Sequence, residues 1–248
     1  MRVDVLGVPF DSTTKDAAVS SAMTMIAERN GAYIVTPNPE IVWACRTDRD
    51  LLQSITNASI VLPDGIGIIY GAKILGTPLP EQIPGIDFAS ELLTQMAAEG
   101  KSVFLLGSKP GIAERAMENL ERDIPGLVIS GTQNGYFDDA LPIIELLNQK
   151  KPDVIFVCLG SPKQEFFMSR YTGKIDTGLM IGLGGSLDVF AGEVPRAPAG
   201  MRKLGLEWLY RLITNPRRIG RMIRLPLFLF AVIHERIFRK TRVKNDAR

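Results

Sequence analysis

Asp64 is the leading candidate for acid–base chemistry in this chain. It follows the apolar stretch Ile60-Val-Leu62 and Pro63, and it precedes Gly65. A lone carboxylate against apolar walls has its proton affinity raised toward the range in which a general base works. The same Asp-Gly pair also satisfies a type I turn without any chemistry, so both readings stand. Thr36 and Asn38 offer polar side chains in Thr36-Pro-Asn38 and equally suit the N-cap of a following helix. Gly107-Ser108-Lys109-Pro-Gly111 could present backbone N–H groups to a phosphate at a helix start. It lacks both the GxGxxG and the GxxxxGK[ST] patterns, as does Gly182-Leu-Gly184-Gly185. In Gly160-Ser-Pro-Lys163-Gln164-Glu165 the last two residues open a helix after Pro162. Cys45 and Cys158 have no CxxC spacing and read as buried thiols. With no His/Cys/Asp cluster at ligand spacing, no metal site and no cofactor are expected.

The elements that would position these residues are short β-rich runs alternating with helix-length segments. The pattern predicts strands over 2–6, 32–35, 59–62, 102–106, 127–130, 154–159 and 179–183, and helices over 87–99 and 112–122. Such alternation implies an α/β fold with a doubly wound, mainly parallel, Rossmann-like sheet covered on both faces. In such sheets ligands bind beyond the carboxyl ends of the strands. The candidates above fall at those ends, after 35, 62, 106, 159 and 183, and outline a cleft for a polar, phosphorylated ligand.

At 248 residues and 46% hydrophobic composition the chain can bury one sizeable core. Its charge is bipolar. Residues 201–248 hold thirteen Lys/Arg against three Asp/Glu, near +10, while the preceding residues hold sixteen against twenty-four, near −8. Arg211, Arg217, Arg218, Arg221 and Arg224 lie among apolar residues and lead into the run Leu225-Pro-Leu-Phe-Leu-Phe-Ala-Val-Ile233. That run is far short of the roughly 20 apolar residues of a membrane span. A basic, apolar tail of this kind suits the surface of an anionic membrane. The alternative is an ordinary helical pair docked on the body. Nucleic acid is not expected as a partner, because Phe228 and Phe230 sit in an aliphatic run and not on a polar stacking platform. His234, among those apolar residues, reads as an interfacial side chain. These features divide the chain into a catalytic α/β domain, 1–200, and a membrane-associating appendage, 201–248. Asp4 stands where a secretory apolar core would be, so the expected location is cytoplasmic, peripheral on the inner membrane face.

The ordered set Thr36-Pro-Asn-Pro-Glu40, Leu62-Pro-Asp64-Gly65, Pro84-Gly-Ile-Asp87, Leu105-Leu-Gly107-Ser, Asn134-Gly-Tyr136-Phe, Gly160-Ser-Pro-Lys-Gln164-Glu165, Gly182-Leu-Gly-Gly-Ser-Leu-Asp188 and Glu207-Trp-Leu-Tyr-Arg211 resembles the WecG/TagA/CpsF glycosyltransferases, most closely their TagA branch. The resemblance implies an inverting, metal-independent transferase moving N-acetylmannosamine from UDP to undecaprenyl-diphosphate-linked N-acetylglucosamine, a step of teichoic acid linkage-unit synthesis. It implies that Asp64 deprotonates the acceptor hydroxyl, and that Thr36, Asn38 and Gln164 surround the donor sugar and acceptor. Asp188 and the loops carrying Gly107, Ser108 and Tyr136 match the nucleotide side, and Gly160, Lys163 and Gly184 at the remaining strand ends are counted with the substrate-binding residues. Arg211, Arg218 and Arg221 match arginines that fold over the site and neutralise the departing diphosphate, a role that in the absence of a metal some cation must fill. Gln82 departs from the pattern, standing where relatives often carry arginine. The resemblance leaves UDP-linked N-acetylmannosaminuronic acid, glucose and galactose as alternative donors. Outside it stand a non-catalytic nucleotide-binding module at the membrane, and an oxidoreductase or methyltransferase that the missing glycine fingerprint disfavours. A homo-oligomer is left open.

Overall fold

The computed structural model describes residues 1–214, 220 and 224–246. The chain opens with a hairpin, β1 (Arg2–Val5) and β2 (Val8–Asp11), paired antiparallel. Next come α1 (Lys15–Glu28), β3 (Ala32–Val35), α2 (Pro39–Cys45), α3 (Arg49–Thr56), β4 (Ile60–Val61), α4 (Ile66–Leu75) and α5 (Gly85–Ala98). A second run follows: β5 (Ser102–Gly107), α6 (Ile112–Asp123), β6 (Val128–Gln133), α7 (Leu141–Lys150), β7 (Val154–Cys158), α8 (Lys163–Tyr171), β8 (Leu179–Gly182) and α9 (Ser186–Phe190). The remaining described elements are α10 (Ala199–Lys203), α11 (Glu207–Thr214) and α12 (Arg224–Asp246).

Six strands form one parallel sheet in the order β4-β3-β8-β7-β5-β6. Outside the edge strand β6, where Ser130, Thr132 and Gln133 are only partly buried, its residues are almost all apolar on both faces, as parallel sheets sandwiched by helices require. The period of two divides them between two cores. Tyr33, Val35, Phe104, Leu106, Ile155, Val157 and Met180 pack with α2, α3, α4, α7 and α8. Ile34, Val103, Leu105, Val154, Phe156, Leu179 and Ile181 pack with α1, α5, α6 and α9. The fold is the doubly wound α/β sheet that the alternation implies.

The first strand differs from its expected place. β1 joins no parallel sheet; it turns back on β2 through Leu6 and Gly7, both at positive φ, the backbone that a two-residue hairpin demands. Pro9 within β2 disguised the second strand, because proline is confined to strand positions that need no ladder donor. The hairpin protects the short edge strand β4: Asp11 accepts from the Val61 N–H (2.9 Å), and the Arg2 guanidinium donates to the carbonyls of Thr56, Ala58 and Ser59.

Helix α12 lies against α4 and α2, with Pro226 in its first turn, where a missing N–H costs nothing. Phe228 and Val232 are buried in the core beside Gly71, where an added Cβ would stand 3.0 Å from the Phe228 ring. The Arg236 guanidinium donates to the Leu75 carbonyl (3.0 Å), one of the unpaired acceptors that end α4. The outward side of the same helix stays apolar: Phe230 is 70% exposed, Ile237 58% and Phe238 55%. No helix among the described residues is long and apolar enough to cross a membrane.

Candidate active site

Neighbouring strands of the sheet send their chains to opposite faces. β3 and β7 lead into α2 and α8, on the Tyr33 face, whereas β8 between them leads into α9, on the Ile34 face. Crevices at such switch points are where doubly wound sheets hold ligands. Two adjoining cavities occupy this edge and meet at Gly185. The inner one, of about 130 Å³, is lined by Asn38, Glu40, Asp64, Gln82, Gly85 and Ser186, and closed on one side by Glu207, Trp208 and Leu225. The outer one, of about 740 Å³, is lined by Ser108, Lys109, Tyr136, Gly160, Lys163 and Asp188 among others. The second volume is within the roughly 300–1,000 Å³ of small-molecule sites.

Asp64 reaches the inner cavity because the chain turns sharply after it. Pairing persists past the end of β4: the Leu62 N–H donates to Val35 O (2.9 Å) and the Asp64 N–H to Pro37 O (3.4 Å). Gly65 then takes φ +91° as the N-cap of α4, and an added Cβ there would press on Pro39 at 3.3 Å. Only glycine meets both conditions without strain. Asn38 is the N-cap of α2, its side-chain oxygen accepting from the Ile41 N–H at 3.1 Å, which places its side chain in the inner cavity and Glu40 one step into the helix beside it.

Thr36, Gln164 and Gly107 lie behind the cavity walls. Thr36 is buried and its hydroxyl donates to Gly182 O (3.0 Å), tying the ends of β3 and β8 together. Gln164 is 3% exposed; its side-chain oxygen accepts from the Gly184 N–H (2.9 Å), and its amide nitrogen donates to Glu165 (3.0 Å). Gly107 has φ +135°, and any Cβ would fall 2.3 Å from Cys158 O, so β5 must end on glycine to pass β7 this closely. The next residue, Ser108, lines the outer cavity and donates to Asp188 (2.9 Å), joining the end of β5 to α9. Tyr136 stands at the rim, 70% exposed, on a loop held by its N–H donating to the Asn134 side chain. Gly160, Lys163, Gly184 and Asp188 all line the outer cavity. Arg211 belongs to α11, with its side chain outside what the structure describes, and Arg218 and Arg221 lie outside the described residues.

The two cavities differ in charge. Asp64, Glu40 and Glu207 line the inner one, with no Lys or Arg among its described lining residues. Lys109 and Lys163 line the outer one beside Asp138 and Asp188. Carboxylates suit sugar hydroxyls, which donate to them, while ammonium groups suit phosphate oxygens. Among the described residues no group of three or more His, Cys, Asp and Glu could hold a metal ion. The thiols of Cys45 and Cys158 are both pushed up to about 12, chiefly by burial, and are inert at neutral pH.

Glu40, Lys109, Ser186, Glu207, Trp208 and Leu225 line the cavities without having been singled out as site residues in the sequence. Glu40 was signalled by the cap at Asn38, which commits it to the first turn of a helix starting at the cleft, and Lys109 by the Gly107–Gly111 loop. Glu207, Trp208 and Leu225 arrive by tertiary docking. Gly205 seats this segment: an added Cβ would stand 2.8 Å from the Ile66 side chain of α4.

Fold and cleft together define an α/β protein whose strand-end crevice joins an acidic cavity to a larger one bearing both lysines and carboxylates. The chain matches the Glycosyl transferase WecG/TagA/CpsF family over residues 3–242. It is 38% identical over 230 residues to an N-acetylglucosaminyldiphosphoundecaprenol N-acetyl-beta-D-mannosaminyltransferase of Bacillus spizizenii, covering 91% of this chain and 90% of the relative. A protein of the same name from Staphylococcus aureus is 37% identical over 234 residues, covering 93% and 92%. The chain belongs to the WecG/TagA/CpsF family and is a glycosyltransferase.

Proposed function

We propose that the protein transfers N-acetylmannosamine from UDP to N-acetylglucosamine carried on undecaprenyl diphosphate, at the surface of an anionic membrane, in the synthesis of a teichoic acid linkage unit. The observation that carries this reading is the pairing of an acidic inner cavity, containing Asp64, with an outer cavity bearing Lys109 and Lys163. Relatives over nine-tenths of the chain carry the name of that activity.

In this reading the nucleoside diphosphate occupies the outer cavity and the sugar crosses Gly184–Gly185 into the inner one. Asp64 takes the proton of the acceptor hydroxyl as its oxygen attacks the anomeric carbon. The bond from that carbon to the diphosphate oxygen breaks on the opposite face, which inverts the configuration. UDP departs with the bonding electrons, its charge met by Lys109, Lys163 and the arginines 211, 218 and 221. Gln82 contributes a neutral amide where an arginine would add charge, which leaves more of that task to the other cations. Residues 201–248 act as an appendage with two tasks, completing the inner cavity through Glu207, Trp208 and Leu225 and resting the exposed face of α12 on the bilayer, where the lipid acceptor resides.

Turnover of a panel of UDP-sugars with a short-chain lipid-diphosphate acceptor, followed by product mass, tests the assignment. UDP-N-acetylmannosamine is expected to be turned over fastest; preference for another UDP-sugar reassigns the donor, and no transfer from any of them removes the reading. Transfer is also expected to persist in excess EDTA. Loss on chelation with recovery on adding Mg²⁺ or Mn²⁺ would show that a metal, and not side chains, neutralises the leaving group.

A further inference from the structure

Glu165, in the first turn of α8, is 1% exposed and contacts no cavity, yet a relay of two hydrogen bonds joins it to the wall between them. Its Oε1 accepts from the Gln164 side-chain N–H (3.0 Å), and the Gln164 oxygen in turn accepts from the Gly184 N–H (2.9 Å). Gly184 lines the outer cavity, and its neighbour Gly185 lines both. We propose that Glu165 is a positioning residue which fixes the orientation of the Gln164 amide and thereby holds the Gly184 peptide in the geometry that transfer requires. The proposal rests on the assignment of the two cavities to donor and acceptor.

A glutamine amide has a donor end and an acceptor end that are nearly the same in shape. Only one orientation gives the Gly184 N–H an oxygen; turned over, the amide would oppose it with another donor. Glu165 selects the productive orientation because an acceptor on the far side demands the Gln164 nitrogen there. Packing prevents escape: a Cβ on Gly182 would stand 3.0 Å from that nitrogen and 2.7 Å from the Met168 methyl, so the amide lies flush against β8. The second carboxyl oxygen of Glu165 is buried with no hydrogen-bond partner. Burial, opposed first by the hydrogen bond from Gln164, raises the carboxyl above its ordinary range. Glu165 is needed as an acceptor at Oε1, so Glu165→Gln reproduces its shape and acceptor, whereas Glu165→Leu keeps most of the volume and removes the acceptor.

Two measurements test this in the full-length protein. Glu165→Leu is expected to lower kcat about 10²-fold with KM little changed, the scale of loss from slight misplacement of reacting groups. In the ligand-free protein the same substitution is expected to speed hydrogen exchange at the Gly184 amide by about tenfold or more, as loss of a protecting bond does. Glu165→Gln retains near wild-type values of both. The double variant Gln164→Ala/Glu165→Leu loses no more activity than Gln164→Ala alone, because Glu165 acts only through Gln164. Glu165→Met replaces Glu165→Leu should the latter not fold. Unchanged Gly184 exchange in the apolar variant, a Gln variant as impaired as the Leu variant, or losses that multiply in the double variant would each overturn the proposal. The exchange measurement needs no substrate, so an error in the assigned reaction and an error in the role of Glu165 give different results.

Discussion

Asp64→Asn is expected to lower turnover at saturating substrate by about 10²–10⁴-fold, the usual cost of removing a general base, while the fold and the affinity for UDP stay close to wild type. Asparagine matches aspartate in shape, and the turn that positions residue 64 depends on the backbone: the N–H bonded to Pro37 O and the positive φ of Gly65. Nucleotide contacts belong to the outer cavity, among Ser108, Lys109, Tyr136 and Lys163, so UDP measured by calorimetry should bind as before. Glu40 and Glu207 share the inner cavity with Asp64, and the same isosteric change at each identifies the base. Asp64 sits at the strand end that borders the crevice of the sheet, whereas Glu40 and Glu207 each enter the cavity from the first turn of a helix. Glu40→Gln and Glu207→Gln should therefore cost less than Asp64→Asn. Near-normal turnover of the Asp64 variant would remove this residue from the mechanism.

How much of this could be read from the chain depended on what each signal reports. The parallel strands were legible because burial on both faces makes them continuous apolar runs, and 32–35 matches β3 to the residue. The amino-terminal hairpin was not, because Leu6-Gly7 is an unusual turn pair and Pro9 interrupts β2. The position of the cleft followed from strand ends alone. Which side of its wall each residue faces did not: Asn38 and Asp64 line the inner cavity, but Thr36 and Gln164, at equivalent strand ends, are turned inward to bond Gly182 and Gly184. A strand end specifies the neighbourhood of a side chain, and the local cap and turn decide its direction. The apolar stretch 225–233 posed a choice between lipid and protein that composition could not make. α12 docks on the protein through the buried Phe228 and Val232 and leaves Phe230 and Ile233 exposed.

That division of α12 makes the two tasks proposed for the appendage separable by experiment. Ending the chain after Thr214 keeps Gly205, Glu207 and Trp208 at the inner cavity but removes Phe228 and Val232 from the core. The loss is about 1.5–3 kcal/mol for each of the two side chains, within the roughly 5–15 kcal/mol stability of a typical domain, so the shortened protein should fold with a lowered melting temperature. It should no longer co-sediment with anionic liposomes. Fusing an unrelated amphipathic basic helix to it restores membrane affinity without restoring Arg218 and Arg221. The fusion is therefore expected to recover liposome binding but little transfer. In the full-length protein, Arg218→Ala and Arg221→Ala should each reduce turnover more than membrane binding. One arginine contributes only about 1 kcal/mol of attraction to an anionic surface, whereas one preorganised group facing developing charge in a closed site is worth about 10²–10³-fold in rate. Changes confined to the outward apolar face, such as Phe230→Ser, should do the reverse, weakening liposome binding while sparing transfer to a soluble short-chain acceptor. Co-sedimentation and turnover measured side by side on these variants decide the matter. Strict proportionality between binding and activity across them, or full activity in the fusion, would reduce the appendage to an anchor.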